Sequence, residues 1–163
     1  KYMINTIKEN FNRALFALIF SIITIGTLSF LSFETPYGLF LAGSFGSSMV
    51  LLFGYPESPF AQPKNVFFGH FVTSLVGVLI LYFLPVDQFL QIAIAVGLGI
   101  FFMILLGVPH PPAGGNPIVI ILGAVSYDFL LNPIIFGSII IIVYAIILNR
   151  YILKKNYPSS WKS

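Results

Sequence analysis

The chain has no cysteine and very little charge, and these two absences exclude several classes of protein. Without cysteine there is no disulfide framework, no thiolate metal site and no cysteine nucleophile. Charged residues make up 8% of the 163 residues, whereas a soluble domain carries about a quarter. This number of charged residues is too small to cover the surface of a soluble fold of this size. We therefore expect a single integral membrane domain over residues 1–163.

The charges that are present do not indicate a nucleic-acid partner or an enzyme. The net charge is +3, but the basic residues form no stripe, so we expect no nucleic-acid binding. The apolar segments contain no Asp or Glu, and neither of the two histidines has a carboxylate partner at the spacing of a metal site. We therefore expect no enzymatic activity, no catalytic residue, no metal and no cofactor.

Apolar stretches divide the chain into six segments. A helix that crosses a bilayer needs about 20 apolar residues, and polar or proline-rich stretches separate candidates of roughly this length. The fifth segment is short for a full crossing. The predicted fold is therefore all-α, with about six transmembrane or partial transmembrane helices at residues 11–32, 37–53, 66–84, 89–108, 118–127 and 133–148.

The distribution of charge predicts an orientation. With six crossings, both termini and both proline-rich breaks lie on one side, and all eight basic residues fall there. The opposite side receives Glu34, Asp87 and Asp128 and no basic residue. By the positive-inside rule both termini are cytoplasmic, in a plasma membrane of the bacterial inner-membrane type. The basic residues are Lys1, Lys8, Arg13, Lys64, Arg150, Lys154, Lys155 and Lys162.

Two proline- and glycine-rich breaks, residues 54–65 and 107–117, resemble each other. Both contain Gly-x-Pro, a further Pro, an Ala two residues later and then an Asn, if one residue is skipped. Two crossings separate them, so the pattern predicts a parallel internal repeat of the kind found in some transporters. Chance similarity between short Gly/Pro-rich runs is the alternative.

The breaks also predict an anion site. Asn65 and Asn116 are placed as N-caps of the following helices, and Pro117 suits a first helical position. Two helix N-termini that face one region favour an anion. Lys64 adds a positive charge, and His70 and His110 add hydrogen-bond donors.

Structural roles are the alternative for each of these features. Such breaks are often plain loops, Lys64 suits a positive-inside anchor, and Glu57 is a candidate partner for it. His70 is as well placed to bond a neighbouring helix as to meet a substrate. The run Gly43-Ser44-Phe45-Gly46-Ser47-Ser48 suits helix packing about twice as well as pore lining.

The run His110-Pro111-Pro112-Ala113-Gly114-Gly115-Asn116-Pro117 resembles the signature of the HPP family of integral membrane proteins. The run Ser58-Pro59-Phe60-Ala61-Gln62-Pro63-Lys64-Asn65-Val66, followed by Gly69-His70, is similar to that family's other well-marked segment. Descriptions of the family usually count four transmembrane helices. The resemblance implies transport of a small anion, because members in chloroplasts and cyanobacteria are associated with nitrite uptake.

The leading hypothesis is therefore transport of a small inorganic anion, nitrite first, by a channel- or uniporter-like mechanism, in a homo-oligomer within the lipid bilayer. The alternatives are a proton-coupled anion carrier and a membrane protein that assembles or senses partners without transport. The predicted substrate-binding residues are Ser58, Gln62, Lys64, Asn65, His70, His110, Pro111, Pro112, Gly114, Gly115 and Asn116.

Overall fold

The chain folds entirely into helices and connecting turns in the part that the structure, a computed structural model, describes, which is residues 2–159. Of the predicted basic residues, Lys1 and Lys162 lie outside this range. The α-helices are α1 (Tyr2–Phe33), α2 (Gly43–Met49), α3 (Pro63–Phe83), α4 (Gln88–Leu105), α5 (Asn116–Leu122) and α6 (Phe136–Ile146). Wider π-helical turns continue α2 and flank α6, at Val50–Gly54, Leu131–Ile135 and Ile147–Ile152. Three short 3₁₀ helices occupy Pro59–Ala61, Pro111–Gly115 and Tyr127–Leu130.

Four helical stretches are long and apolar enough to cross a membrane. They confirm the predicted segments one, three, four and six. Helical structure begins earlier than predicted in the first three of these, whereas the last stretch is kinked at Asn132 (φ −120°, ψ 118°), so its continuous helix begins at the predicted Pro133. The four stretches are Asn5–Phe33, Pro63–Phe83, Gln88–Leu105 and Tyr127–Ile152.

The second and fifth predicted segments are partial helices, each shorter than the predicted segment. The second is helical only over Gly43–Gly54, and α5 has seven residues. At 1.5 Å per residue these helices are about 18 and 10 Å long, against a hydrocarbon core of about 30 Å. Residues 2–159 therefore contain four helical stretches long enough to span a membrane and two half-length helices, and four is the number of spans that the resemblance to the HPP family implies.

Backbone bonds to α1 explain why residues 37–42 are not helical. The side-chain oxygen of Ser32, near the end of α1, accepts hydrogen bonds from the backbone N–H groups of Phe40 (2.9 Å) and Leu41 (3.1 Å). Gly38 has a φ of +98°, outside the helical range. The chain is thereby held along α1 until Ala42, whose extended backbone precedes α2.

Helix α4 packs antiparallel against α3. Gln91, near the start of α4, donates to the carbonyl of Leu84 at the end of α3 (2.8 Å). Nearer the end of α4, a Cβ on Gly99 would meet Thr73 in the first half of α3. The small residues of α3 allow this close packing.

Helix α5 runs parallel to α3. A Cβ on Gly69 would meet His110, and one on Gly77 would meet Pro117, so both chains advance in the same direction. Each break also contains a 3₁₀ helix that begins at an aligned proline and buries an alanine, Ala61 or Ala113. The units after the two breaks therefore share a local structure and a direction, as a parallel repeat requires.

The end of α4 forms a Schellman motif. The N–H of Gly107, with φ +64°, donates to the carbonyl of Ile104 (3.1 Å), and the N–H of Val108 donates to that of Met103 (2.9 Å). The side chains of Val108 and Met103 are both buried, the apolar contact typical of this cap. Pro109 follows and prevents helix continuation, which fixes where the second break begins.

The C-terminal segment folds back onto the first break. The side chain of Asn149 donates to the carbonyl of Leu52 (2.9 Å), and the hydroxyl of Tyr157 donates to that of Ala61 (2.8 Å). At the same end of the molecule, the guanidinium of Arg13 lies over the ring of Tyr55, 5.1 Å from its centroid. The beginning of α1, the first break and the C-terminal segment therefore share one end, which brings the described basic residues together.

Phe45 links α6 to the centre of the molecule. A Cβ on Gly137 of α6 would collide with the carbonyl oxygen of Phe40 and approach the Phe45 ring to 2.5 Å. On another side, the Phe45 ring meets the His70 ring edge-on, with centroids 5.0 Å apart. Glycine is thus required at 137 for this close approach.

Candidate functional site

Seven buried polar side chains meet where the second break reaches α2 and α3. None is more than 9% exposed, and five are fully buried. Polar groups within a membrane bundle are costly unless they are bonded, and they commonly mark functional positions. We call this set the polar cluster: Ser44, Ser48, His70, Thr73, Ser74, His110 and Asn116.

Helical spacing explains how four of these residues share one region. Ser44 and Ser48 are four residues apart on α2, so both lie on one face. His70 and Ser74 have the same spacing on α3. His70 is the eighth residue of α3, which places it about 10 Å along the helix axis from its start.

One serine joins the two histidines. The hydroxyl oxygen of Ser48 lies 3.0 Å from Nε2 of His70 and 2.8 Å from Nε2 of His110. The two imidazole rings are 4.9 Å apart between centroids, at 64°. The break brings His110 from a distant part of the sequence onto α2 and α3.

The partners of each ring determine where its hydrogen lies when both histidines are neutral. Nδ1 of His110 lies 2.7 Å from the carbonyl oxygen of Phe60, which can only accept, so this nitrogen carries the hydrogen. Nε2 of His110 then accepts from the hydroxyl of Ser48. Since the hydroxyl has one hydrogen, Nε2–H of His70 donates to Ser48.

Asn116 completes this chain of hydrogen bonds. Its amide nitrogen lies 3.3 Å from the backbone carbonyl oxygen of His70. Because a carbonyl oxygen can only accept, this contact fixes which end of the amide is the nitrogen. The same nitrogen donates to Nδ1 of His70 (3.1 Å). The hydroxyl oxygen of Ser74 lies 2.9 Å from the same nitrogen, so the two amide hydrogens are shared among these acceptors. The donor direction therefore runs from Asn116 through His70, Ser48 and His110 to Phe60.

The predicted N-cap roles of Asn65 and Asn116 are wrong. Gln62 precedes α3 as its cap residue, and Gly115 precedes α5. Asn65 is the third residue of α3, and its side chain donates to the carbonyl of Pro109 (3.0 Å), which ties the two breaks together.

The predicted helix-end anion site is not formed at α5, because a 3₁₀ helix leads directly into it. The N–H of Asn116 already donates to the carbonyl of Ala113. Pro117 has no N–H and is the second helical residue, not the first as predicted. An anion would therefore meet side-chain donors here rather than free amides of α5.

Two further predicted residues stabilise the first break and stand apart from the hydrogen bonds of the cluster. The buried amide of Gln62 donates to the carbonyls of Pro56 (3.0 Å) and Ser58 (2.9 Å) and accepts from the N–H of Ser159 (2.9 Å). The Ser58 side chain caps the 3₁₀ helix by accepting from the N–H of Phe60 (3.2 Å). Both side chains hold the loop whose Phe60 carbonyl meets His110.

Lys64 lies beside an apolar groove. The half-buried side chain lines a groove between α3 and α6 with Phe67, Phe68, Ile139 and Val143 among its neighbours.

A small cavity lies beside His110. It has a volume of about 290 Å³, and His110, Pro111 and Gly114 form its wall on the side of the break. The end of α4 forms the other wall, with Ile100, Met103 and Ile104. Pro112 and Gly115 are half-buried turn residues of the 3₁₀ helix. His110 is the member of the cluster that contributes to the wall of this cavity, although its side chain is fully buried.

The donor set does not resemble a metal site. No group of three or more His, Cys, Asp or Glu lies together within residues 2–159. The cluster offers hydroxyl, amide and imidazole groups, which suit hydrogen bonds to a small solute or the movement of a proton.

The histidines and Asn116 could be predicted from the sequence, but the hydroxyl groups that connect them could not. Ser44 and Ser48 belong to a run that suits helix packing better than pore lining. Their i, i+4 spacing on one face was the available signal, but only the structure shows that this face meets His70. His70 bonds a neighbouring helix through Ser48 of α2, which is one of the two roles weighed for it, and its predicted part in substrate binding stays a prediction.

Comparisons with known proteins give a family but no activity. The family described as HPP, transmembrane region, matches residues 6–158. Two Dictyostelium discoideum proteins named as transmembrane proteins are 34% and 35% identical to the chain, over 74% and 76% of its length. The chain spans less than half of these relatives, 45% and 42% of their lengths. No solved structure matches the chain.

Proposed function

The chain belongs to the HPP family of integral membrane proteins, and from this premise we propose that it carries a small inorganic anion across the membrane, with nitrite as the first candidate. The association of some family members with nitrite uptake supports the choice of anion. The bundle of four spans with two half-length helices supports transport, since broken helices at membrane depth occur where they line a binding site or cavity.

The polar cluster is the observation that carries the proposal. Its side chains are held where the second break meets α2 and α3, within spans whose described residues are mostly apolar. A bundle that needed only packing would fill this position with apolar or small side chains. Hydroxyl and amide groups instead offer hydrogen bonds that can replace part of the hydration shell of an anion.

Binding in this cluster requires an internal rearrangement. Ser48, His70 and His110 are fully buried and bonded to one another, so the described arrangement is closed. An anion gains the hydroxyl of Ser48 or the amide of Asn116 only when these groups leave their imidazole partners. This competition keeps anion affinity low, as release on the other side of the membrane requires.

The distribution of basic residues supports an orientation with both termini in the cytoplasm, in a bacterial-type inner membrane. Small bundles enclose little volume, so the proposed assembly is a homo-oligomer. The role proposed for the protein is transport rather than catalysis.

The proposal is tested by flux into proteoliposomes that contain the purified protein. We expect saturable or conductive nitrite movement above that of empty liposomes, and at least a tenfold loss in His110→Gln, because glutamine cannot occupy both the Phe60 and Ser48 positions with the geometry of the ring. Tyr82→Phe is the control, since the Tyr82 hydroxyl bonds the Val125 carbonyl outside the cluster (3.0 Å). Wild-type flux equal to that of empty liposomes for nitrite, nitrate and formate would refute the proposal.

A further inference from the structure

The bridge formed by His70, Ser48 and His110 has room for one additional proton without movement of any heavy atom. If Nε2 of His110 gains a proton, it donates to the Ser48 oxygen instead of accepting from it. The Ser48 hydroxyl can then turn to the backbone carbonyl of Ser44, which lies 3.2 Å away. The Ser48 oxygen still accepts from Nε2–H of His70, so both of its lone pairs are used.

His110 is favoured over His70 as the proton acceptor because of what faces each ring. The accepting nitrogen of His70 faces the amino group of Asn116 at 3.1 Å, and that group cannot reverse because it also donates to a carbonyl. The accepting nitrogen of His110 faces a hydroxyl, which can reverse. The second N–H of the protonated ring, Nδ1–H of His110, is already held by the Phe60 carbonyl at 2.7 Å.

The charge of a protonated His110 would have no carboxylate partner in the polar cluster. Each element packed on the two rings offers a neutral group: hydroxyls and the Phe45 ring from α2, a carbonyl from the first break, Thr73 and Ser74 from α3, and the Asn116 amide from α5. The two histidines are the titratable members of this set. A buried unpaired charge is strongly unfavourable, so a small anion is the natural partner for this cation.

We propose that the protein moves one proton together with each anion, and that His110 holds the proton at Nε2 while the hydroxyl of Ser48 turns from donor to acceptor to receive it. The proposal rests on the anion transport proposed above and specifies its coupling. One proton from water on the entry side binds Nε2 of His110, the anion binds beside it, and both leave on the exit side. The cargo is then electrically neutral, and the protein returns to its starting protonation state.

The cavity beside His110 provides the place where the ion pair would form. His110 is its polar residue, and the rest of its lining consists of apolar side chains, prolines and Gly114. Such a lining disfavours an anion alone, since nothing else there replaces its hydration, but accepts a proton and an anion as a neutral pair.

The first experiment measures both ions in the wild-type protein. Nitrite uptake and acidification of the lumen are followed together in proteoliposomes at mildly alkaline pH, with a potassium gradient and valinomycin to set the membrane potential. We expect one proton per nitrite and a flux that does not change with the membrane potential, after subtraction of passive nitrous acid entry into empty liposomes.

The outcomes separate the two proposals. Nitrite flux that depends on the membrane potential and acidifies the lumen no more than empty liposomes do would overturn proton coupling and leave anion transport standing. Flux equal to that of empty liposomes for nitrite, nitrate and formate would overturn transport itself. Formate, as a second weak-acid anion, should show the same ratio of protons to anions if it is carried.

Variants at Ser48 test its role as a positioning residue. Ser48→Ala removes the bridge, and we expect the ratio of protons to nitrite to fall at least fivefold, whereas Ser48→Thr, which keeps a hydroxyl, should restore it. Ser138→Ala is the matched control, because the Ser138 hydroxyl is also fully buried but has no hydrogen-bond partner. An unchanged ratio in Ser48→Ala would overturn this role of Ser48.

A spectroscopic measurement tests the same bridge without transport. Nitrogen-15 spectra of the labelled protein in lipid should show hydrogen on Nδ1 of His110 and on Nε2 of His70. On acidification, His110 should become doubly protonated before His70. The opposite tautomers, or His70 titrating first, would overturn the assignment even if a variant failed to fold.

Discussion

At the scale of single residues, the amide of Asn116 is the fixed point of the polar cluster. It donates to both an imidazole nitrogen and a backbone carbonyl of His70, so it can face only acceptors. A side chain of the same shape without donors therefore conflicts with its surroundings.

Asn116→Asp tests this requirement. The carboxylate would face two acceptors on His70 and repel an anion, so we expect at least a tenfold loss of nitrite flux and about 3 kcal/mol less stability toward unfolding. Flux and thermal unfolding in detergent are the measurements. Gln91→Glu is the matched control, since the Gln91 amide also donates to a carbonyl, Leu84, but outside the cluster; equal loss of flux in both variants would contradict the prediction.

Gly69 sets the distance between α3 and the second break. A Cβ there would lie 2.7 Å from the Cβ of His110 and 3.2 Å from the carbonyl of Val108. Such a contact must displace the break, and with it the ring that Ser48 bridges.

Gly69→Ala is expected to cost about 1–3 kcal/mol of stability, the usual range for overpacking, and to lower nitrite flux. Gly97→Ala is the control, because a Cβ at Gly97 meets nothing within 4 Å. Thermal unfolding and flux of the two variants should therefore differ. Similar values for both would show that the break tolerates displacement.

At the scale of elements, the long spans could be predicted from sequence but the half-length helices could not. Hydropathy identifies the apolar stretches, and α1, α3, α4 and the stretch around α6 are apolar over a full crossing. It does not identify backbone conformation, so hydropathy predicts a helix over residues 37–41, whereas Ser32 accepts hydrogen bonds from the N–H groups of Phe40 and Leu41 and the segment is not helical. The Asn116 error has a related cause, since a 3₁₀ helix before α5 gives no signal that distinguishes it from a loop.

The cap of α4 is an element-scale feature that the sequence does indicate. Gly107 has the positive φ of +64° that the Schellman motif requires.

Gly107→Ala should therefore lower stability by about 1 kcal/mol, the cost of a left-handed conformation for a residue with a Cβ. Gly114→Ala serves for comparison, because Gly114 has no positive φ and a Cβ there meets no atom within 4 Å. Thermal unfolding should rank Gly107→Ala below Gly114→Ala. The reverse order would mean that the cap does not determine the end of α4.

At the scale of the whole molecule, Tyr157 closes the C-terminal segment onto the first break. Its ring is 1% exposed and its hydroxyl bonds the Ala61 carbonyl. Burial raises the pKa of Tyr157 well above its usual range, because the phenolate would lose hydration.

This burial predicts loss of stability in alkali. The unfolded tyrosine releases its proton above about pH 10 while the folded one retains it, so the unfolded state binds fewer protons and stability falls as pH rises. Tyr157→Phe should not show this loss of stability with rising pH. At neutral pH it should be about 1 kcal/mol less stable than the wild type, because it lacks the hydrogen bond to the Ala61 carbonyl. Thermal unfolding across alkaline pH checks both, and parallel curves for the two proteins would contradict the prediction.

The whole-molecule arrangement also shows why the site was only partly predictable. His70, His110 and Asn116 stand out in an apolar sequence because each is costly to bury. Ser48 does not stand out, since serine is common at helix contacts in membranes, and its importance arises only when α2, α3 and the second break come together. Lys64, in contrast, stands out in the sequence because of its charge, but it lines a groove between α3 and α6.

The packing of Phe45 gives the molecule a mechanical link. One side of its ring rests on Gly137 without clearance, and another meets the edge of the His70 imidazole. A shift of α6 toward α2 has no gap to close, so it must push the phenyl ring, and the ring must tilt or displace the imidazole. A movement of α6 would therefore change the hydrogen-bond lengths of His70, because Phe45 transmits the displacement between the two.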